Sequence, residues 1–132
     1  LELLAQNRRK FRADGIRIIE GQAPEALDDL EPPTHVFIGG SGGRLQEILK
    51  AVIQKNPRVR IVINAISMET IKEVMDAGQE GLLPHMEIIQ MCVSRSRELA
   101  GYHMMTGLNP VHIISAGGEE PEADSDQDRG RI

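Results

Sequence analysis

Aromatic residues are almost missing from this chain. Its 132 residues include no Trp, one Tyr and two Phe, 2% in all. The core must therefore be aliphatic, and recognition of nucleic acid by stacking bases on aromatic rings is nearly excluded. Cysteine is as scarce. Cys92 stands alone, so no internal disulfide can form, and a reducing, cytoplasmic setting is expected. Its place in an apolar run predicts a buried structural thiol rather than a nucleophile. No apolar stretch is long enough to span a membrane, and no signal peptide is read. A basic excess is missing too: the net charge of −5 argues against non-specific nucleic-acid binding. His35, His85, His103 and His112 have no ligand spacing, so no metal site is expected.

What is present suits one soluble globular domain, with 40% hydrophobic and 27% charged residues. From Gly117 onward the composition shifts to Gly, Glu, Asp, Pro, Ser and Gln. Residues 117–132 therefore read as a disordered acidic tail behind a folded part over 1–116. The chain is organised around Val36-Phe37-Ile38-Gly39-Gly40-Ser41-Gly42-Gly43, which reads as strand, glycine-rich turn and helix start. Four glycines around Ser41 let the backbone approach a ligand closely. Ser41 is predicted to cap the helix, leaving free N–H groups at its positive end, where carboxylate or phosphate is favoured. A tight strand-to-helix turn with a good cap accounts for the same residues.

Taken in order, the chain predicts a helix over Leu1–Ala13, a strand over Ile16–Glu20 and a short helix over Ala23–Leu27. Val36–Ile38 is the next strand. Leu45, Ile48, Leu49, Val52 and Ile53 form an apolar stripe at helical spacing. Val59–Ile63 fits a buried parallel strand ending at Asn64-Ala65. A helix after Ser67 should turn Ile71, Val74 and Met75 inward. Glu87–Ser94 and Val111–Ser115 read as strands around an irregular Arg95–Pro110. This is an α/β pattern, a mostly parallel sheet finishing in an antiparallel pair. Gly21-Gln22, Gly39–Gly43 and Asn64 all fall at carboxyl ends of strands, where ligands of such sheets bind.

Four segments give a sharper reading. Glu20-Gly21-Gln22-Ala23-Pro24-Glu25-Ala26-Leu27, Phe37-Ile38-Gly39-Gly40-Ser41-Gly42-Gly43, Arg60-Ile61-Val62-Ile63-Asn64-Ala65 and Val93-Ser94-Arg95-Ser96-Arg97 occur in this order, followed by Asn109-Pro110-Val111. Together they resemble the decarboxylating precorrin-6Y methyltransferase family of cobalamin (vitamin B12) biosynthesis, in its carbon-fifteen methylating, decarboxylating domain. The resemblance covers roughly Leu1 to Ala116. It implies the C-terminal part of a class I S-adenosylmethionine-dependent methyltransferase fold, which is Rossmann-like. The family's first strand, its glycine-rich cofactor turn and its ribose-binding acid have no counterpart here, so a fragment of a longer enzyme is expected. Glu2 lies inside a helix and is a poor substitute for that acid.

The resemblance also implies roles. Gly21, Gln22 and Ala23 would contact adenine of S-adenosylmethionine, with Gln22 where aspartate is commoner, and Gly39 would border that cofactor. Gly40, Ser41, Gly42, Gly43 and Arg44 would face the carboxylate arms of a precorrin tetrapyrrole. Arg95 and Arg97 would clamp further carboxylates, or form a solvated loop pair. Asn64 would orient substrate, or hold a local turn. Glu69 suits a helix start better than catalysis, and Met104 and Met105 suit packing. His103 is the histidine considered near substrate, and no catalytic acid or base is assigned. The implied reaction is methyl transfer to a ring-bridging carbon with loss of carbon dioxide. A homo-oligomer, tetrameric in the family, is implied, with neither nucleic acid nor membrane as partner. Two other readings stay open: a class I methyltransferase acting on RNA or a small metabolite, and a noncatalytic oligomerising fragment. Low aromatic content and acidity disfavour RNA.

Overall fold

The computed structural model describes residues 1–118. The expected acidic tail, beyond Gly118, lies outside the described residues. The chain divides into two compact units, Leu1–Glu31 and a second beginning at Pro32.

In the first unit α1 runs over Glu2–Lys10. Glu2 in its first turn and Arg8, Arg9 and Lys10 in its last complement the helix dipole. Helical bonding stops short of the expected Ala13, and Arg8 Nη1 donates to the Ile16 carbonyl at 3.1 Å. Ile16–Glu20 is not a strand, contrary to its β-branched composition. It has no ladder partner among the described residues, and pairing is what makes a strand. The short helix is a single 3₁₀ turn over Glu25–Leu27, begun by an Ala26 N–H bond to the Gln22 carbonyl at 2.8 Å. No residue of this unit is buried.

The second unit holds the core. It contains β1 (His35–Ile38), α2 (Leu45–Lys55), β2 (Arg60–Ala65), α3 (Met68–Gln79), β3 (Glu87–Met91), β4 (Ser94–Leu99), β5 (Tyr102–Gly107) and β6 (Val111–Gly117). The main sheet has the order β1-β2-β6-β3. β1 and β2 are parallel, and β6 is antiparallel to both β2 and β3, so β3 runs with β1 and β2. The parallel start and antiparallel finish agree with the sequence pattern.

The helical stripe is realised in α2, where Leu45, Ile48, Leu49 and Val52 are buried. Ile38, Ile61, Ile63, Ala65, Ile114 and Ala116 are buried together on one face of the sheet. Fully burying a residue such as Leu45 or Leu49 contributes about 1.5–3 kcal/mol. α3 starts where Ser67 Oγ accepts from the Thr70 N–H at 3.2 Å. It buries Val74 and Ala77, while Met75, expected inside, is 42% exposed. β2 alternates between buried Ile61, Ile63 and Ala65 and half-exposed Val62 and Asn64. It is thus covered on one face, not both. The opposite sheet face leaves Phe37 65% and Ile89 49% exposed.

Two further expectations are corrected. Arg95–Pro110 is largely regular: β4 and β5 form an antiparallel hairpin closed at Ala100-Gly101. Both turn residues have positive φ, 52° and 78°, which matches the right-handed twist of a tight hairpin. Cys92, just before it, is exposed rather than buried. Among the described residues no helix is long and apolar enough to cross a membrane, and no group of three or more His, Cys, Asp or Glu could hold a metal ion.

Candidate functional site

The carboxyl ends of β1, β2 and β3 lie at one end of the main sheet, as their shared direction requires. β1 delivers Gly39 and Gly40 into solvent. The chain then closes a turn in which the Arg44 N–H donates to the Ser41 carbonyl at 3.1 Å. Its two central residues, Gly42 and Gly43, have φ of 59° and 83°, a conformation that strains other residues. A Cβ at Gly40, Gly42 or Gly43 would meet no atom within 4 Å. The backbone of this loop therefore lies open to a ligand.

Ser41 does not cap α2. The N-cap residue is Arg44, with no side-chain cap of its own. The cap comes from α3 instead: Glu73 Oε2 accepts from the Leu45 N–H at 3.0 Å. A carboxylate of the protein thus already occupies part of the positive helix end that the sequence left for a ligand. The Arg44 guanidinium is engaged as well, with Nη2 2.6 Å and Nε 3.2 Å from Glu47 Oε2. The loop's ligand-facing donors are therefore its glycine amides more than its arginine.

Asn64 lies half-exposed near the carboxyl end of β2. Arg95 and Arg97 lie on one face of the exposed hairpin that follows β3, opposite Thr106 and Met104. β2 and β6 separate β1 from β3, so the glycine loop and the strand leading to the arginines are about 14 Å apart at ~4.8 Å per strand. The structure places Gly39–Arg44 and Asn64 on adjacent strands, and Arg95 and Arg97 on a separate arm. Gly21, Gln22 and Ala23 belong to the first unit. Gly21 there has φ of 146°, with Ala26 Cβ only 2.9 Å from where its own Cβ would be. The Gln22 side chain is exposed.

One residue at this end was missed. His112 pairs in register with Ala65 on β2 and Gln90 on β3. Its Nδ1 is buried without a hydrogen-bond partner among the described residues. Because β6 runs against its neighbours, its first residues reach the same end as their last ones. The Asn109-Pro110 break before an antiparallel strand was the available signal. His103, favoured from sequence, lies on the exposed hairpin.

Comparison with known proteins fits this geometry. A family model described as the precorrin methyltransferase domain matches residues 1–116. The chain is 36% identical over 118 residues to a probable cobalt-precorrin-6B C(15)-methyltransferase (decarboxylating) from Pyrobaculum calidifontis, covering 88% of this chain and 60% of that protein. A protein of the same description from Methanothermobacter thermautotrophicus is 38% identical over 105 residues, 79% of this chain and 54% of its own length. The crystal structure of precorrin-6Y C5,15-methyltransferase from Geobacter metallireducens superposes with a TM-score of 0.76 at 38% identity, covering 86% of this chain and 60% of that one. The chain thus spans little more than half the length of these relatives. With the family model matched over residues 1–116 and a solved relative of 38% identity superposing at a TM-score of 0.76, the chain belongs to the precorrin methyltransferase domain family.

Proposed function

We propose that these residues form part of a decarboxylating precorrin C15-methyltransferase of cobalamin biosynthesis, working in the cytoplasm with S-adenosylmethionine as methyl donor. The observation that carries this reading is the family match over residues 1–116, within which Gly39–Arg44 forms an open loop at the carboxyl end of β1. When bound, the cofactor supplies an electrophilic methyl group. Each unit, taken by itself, offers contacts for part of its cradle. Gln22 offers an exposed amide for the adenine edge beside Gly21 and Ala23, and Gly39 brings an exposed backbone to the end of β1.

On the substrate side, the amides of Gly40, Ser41, Gly42 and Gly43 hydrogen-bond carboxylate arms of the tetrapyrrole. Arg44 orients them while tethered by Glu47. Asn64 holds the ring edge, and Arg95 and Arg97 receive more distant arms. The protein's contribution is alignment of a reactive donor and an electron-rich carbon, and no side chain is assigned as a base.

A homo-oligomer, tetrameric as in the family, completes this reading. The β4–β5 hairpin supports it, since a two-stranded ribbon is marginal alone and this one exposes Leu99, Tyr102, Met104 and Met105.

Calorimetric titration with S-adenosylhomocysteine tests the proposal, using this chain beside one extended upstream to the relatives' length. Tight binding by the extended chain is expected. Absence of binding by both would overturn the cofactor assignment, and equal binding would overturn the division of the cradle.

A further inference from the structure

At the other end of the main sheet, β1, β2 and β3 begin and β6 finishes. A cavity of about 1070 Å³ opens there, at the upper limit for small-molecule sites. Its lining includes His35, Arg58, Arg60 and His85 and, among the described residues, one carboxylate, Glu87. We propose that this cavity is an anion-binding site for carboxylate or phosphate groups, separate from the glycine loop. The distance along β2 from Arg60 to Ala65 puts the two sites about 17 Å apart.

The geometry around Arg60 carries the inference. Its side chain makes one hydrogen bond, from Nη1 to the Gly117 carbonyl at 3.0 Å, and it has no carboxylate partner among the described residues. A guanidinium has five N–H donors and Arg60 is exposed, so most of this fork is left to water or a ligand. Gly117 holds that carbonyl in place. Its φ is 70°, and a Cβ there would lie 2.2 Å from the Val59 carbonyl oxygen, so no side chain fits. His35 pairs with Arg60 in the parallel register, which sets both side chains on one sheet face. Thr34 Oγ1 bonds His35 Nδ1 at 3.1 Å, which fixes the ring of a residue that lines the cavity. A fork fixed by backbone beside an oriented imidazole is suited to a planar or tetrahedral oxyanion.

Two sources of such an anion exist. One is a free phosphate or polycarboxylate. The other is the chain's own acidic run, since Gly118 lines the cavity and Glu119, Glu120, Glu122, Asp124, Asp126 and Asp128 follow it in sequence.

The test is titration of the 132-residue chain with inorganic phosphate at constant pH and ionic strength. The ring-proton NMR signals of His35 and His85 are followed. A second protein carries those six acids as amides (E119Q, E120Q, E122Q, D124N, D126N and D128N). Saturable shifts in both proteins establish a site for free anions. Saturation in the amide protein alone supports the same site with the acidic run as its occupant. In whichever protein saturates, Arg60→Gln should weaken binding by about tenfold or more, the worth of a charged hydrogen bond, while Lys50→Gln, on the exposed side of α2, leaves it unchanged. No saturable shift in either protein, or equal affinity in Arg60→Gln, overturns the proposal. Folding of the Arg60 variant is read from the dispersion of the Ile61, Ile63 and Ile114 methyl signals in the same spectra.

Discussion

The Glu73 carboxylate of α3 accepts the backbone N–H of Leu45, the first residue of α2, at 3.0 Å across 28 residues of sequence. One side chain therefore caps a neighbouring helix and couples the two helices that cover the sheet. Glu73→Ala should destabilise the chain by about 1 kcal/mol, as cap removal does elsewhere. Glu73→Gln keeps an acceptor and should cost less, about 0.3–1 kcal/mol from the lost dipole interaction. Urea unfolding of the two variants distinguishes these values. Equal losses would mean that charge, not hydrogen bonding, carries the contact.

The same contact shows why the site was only partly legible. Composition placed the glycine loop after a strand, and the stripe from Leu45 to Val52 placed the helix after the loop. Local sequence also offered Ser41 as the cap, and nothing nearby revealed that Glu73 would fill that role. Long-range partners are what a local pattern omits. The hairpin was hidden for a different reason. Ser94–Leu99 and Tyr102–Gly107 are exposed on both faces, so they carry no alternation of apolar and polar residues. Ile16–Glu20 erred the other way, with a strand-like composition and no neighbour to pair with.

Two glycines should respond oppositely to a methyl group. Gly117→Ala puts a Cβ against the Val59 carbonyl at a left-handed backbone position and should cost about 3 kcal/mol or more. Gly40→Ala meets no atom within 4 Å and should change stability by less than about 0.5 kcal/mol. Thermal unfolding checks both. Any loss of ligand affinity in Gly40→Ala then reports on the loop's contact with its ligand, free of a folding defect.

His112 carries a buried nitrogen without a partner among the described residues. Such an atom costs about 1–3 kcal/mol in desolvation. His112→Leu should therefore leave stability unchanged or raise it by about 1 kcal/mol in denaturant unfolding. A marked loss would indicate a hydrogen bond formed by this nitrogen in solution.

Lys72 has its pKa raised above 10.5, first by a hydrogen bond from its ammonium to Asp76 and then by the attraction of that carboxylate. A raised pKa in the folded state stabilises below the unfolded value and is lost as pH climbs through the folded one. The stability difference between the native chain and Lys72→Met should therefore be constant from pH 7 to 9 and shrink above 10.5. Paired unfolding curves across that range check it. Both groups are solvent-exposed, so the difference should also diminish in high salt.

Under the proposed function, Arg44→Ala in a chain extended to the relatives' length should raise the KM for tetrapyrrole by about tenfold, with a smaller change in S-adenosylhomocysteine affinity. Steady-state kinetics and calorimetry compare the two. Equal losses would mean that Arg44 serves the fold or the cofactor rather than the substrate.

The position of β6 has a consequence for the order in which the sheet is completed. β1 and β2 can pair once residue 65 has left the ribosome, but among the described residues β3 has no sheet partner other than β6. Until Val111–Gly117 emerges, β2 presents one bare edge and β3 two. At about 5–20 residues per second, that interval lasts a few seconds. During it, the nascent chain holds open strand edges that could pair with another copy. The β4–β5 hairpin can form meanwhile, since its pairing is local, and it holds β3 within reach of the strand that must later slide between β3 and β2.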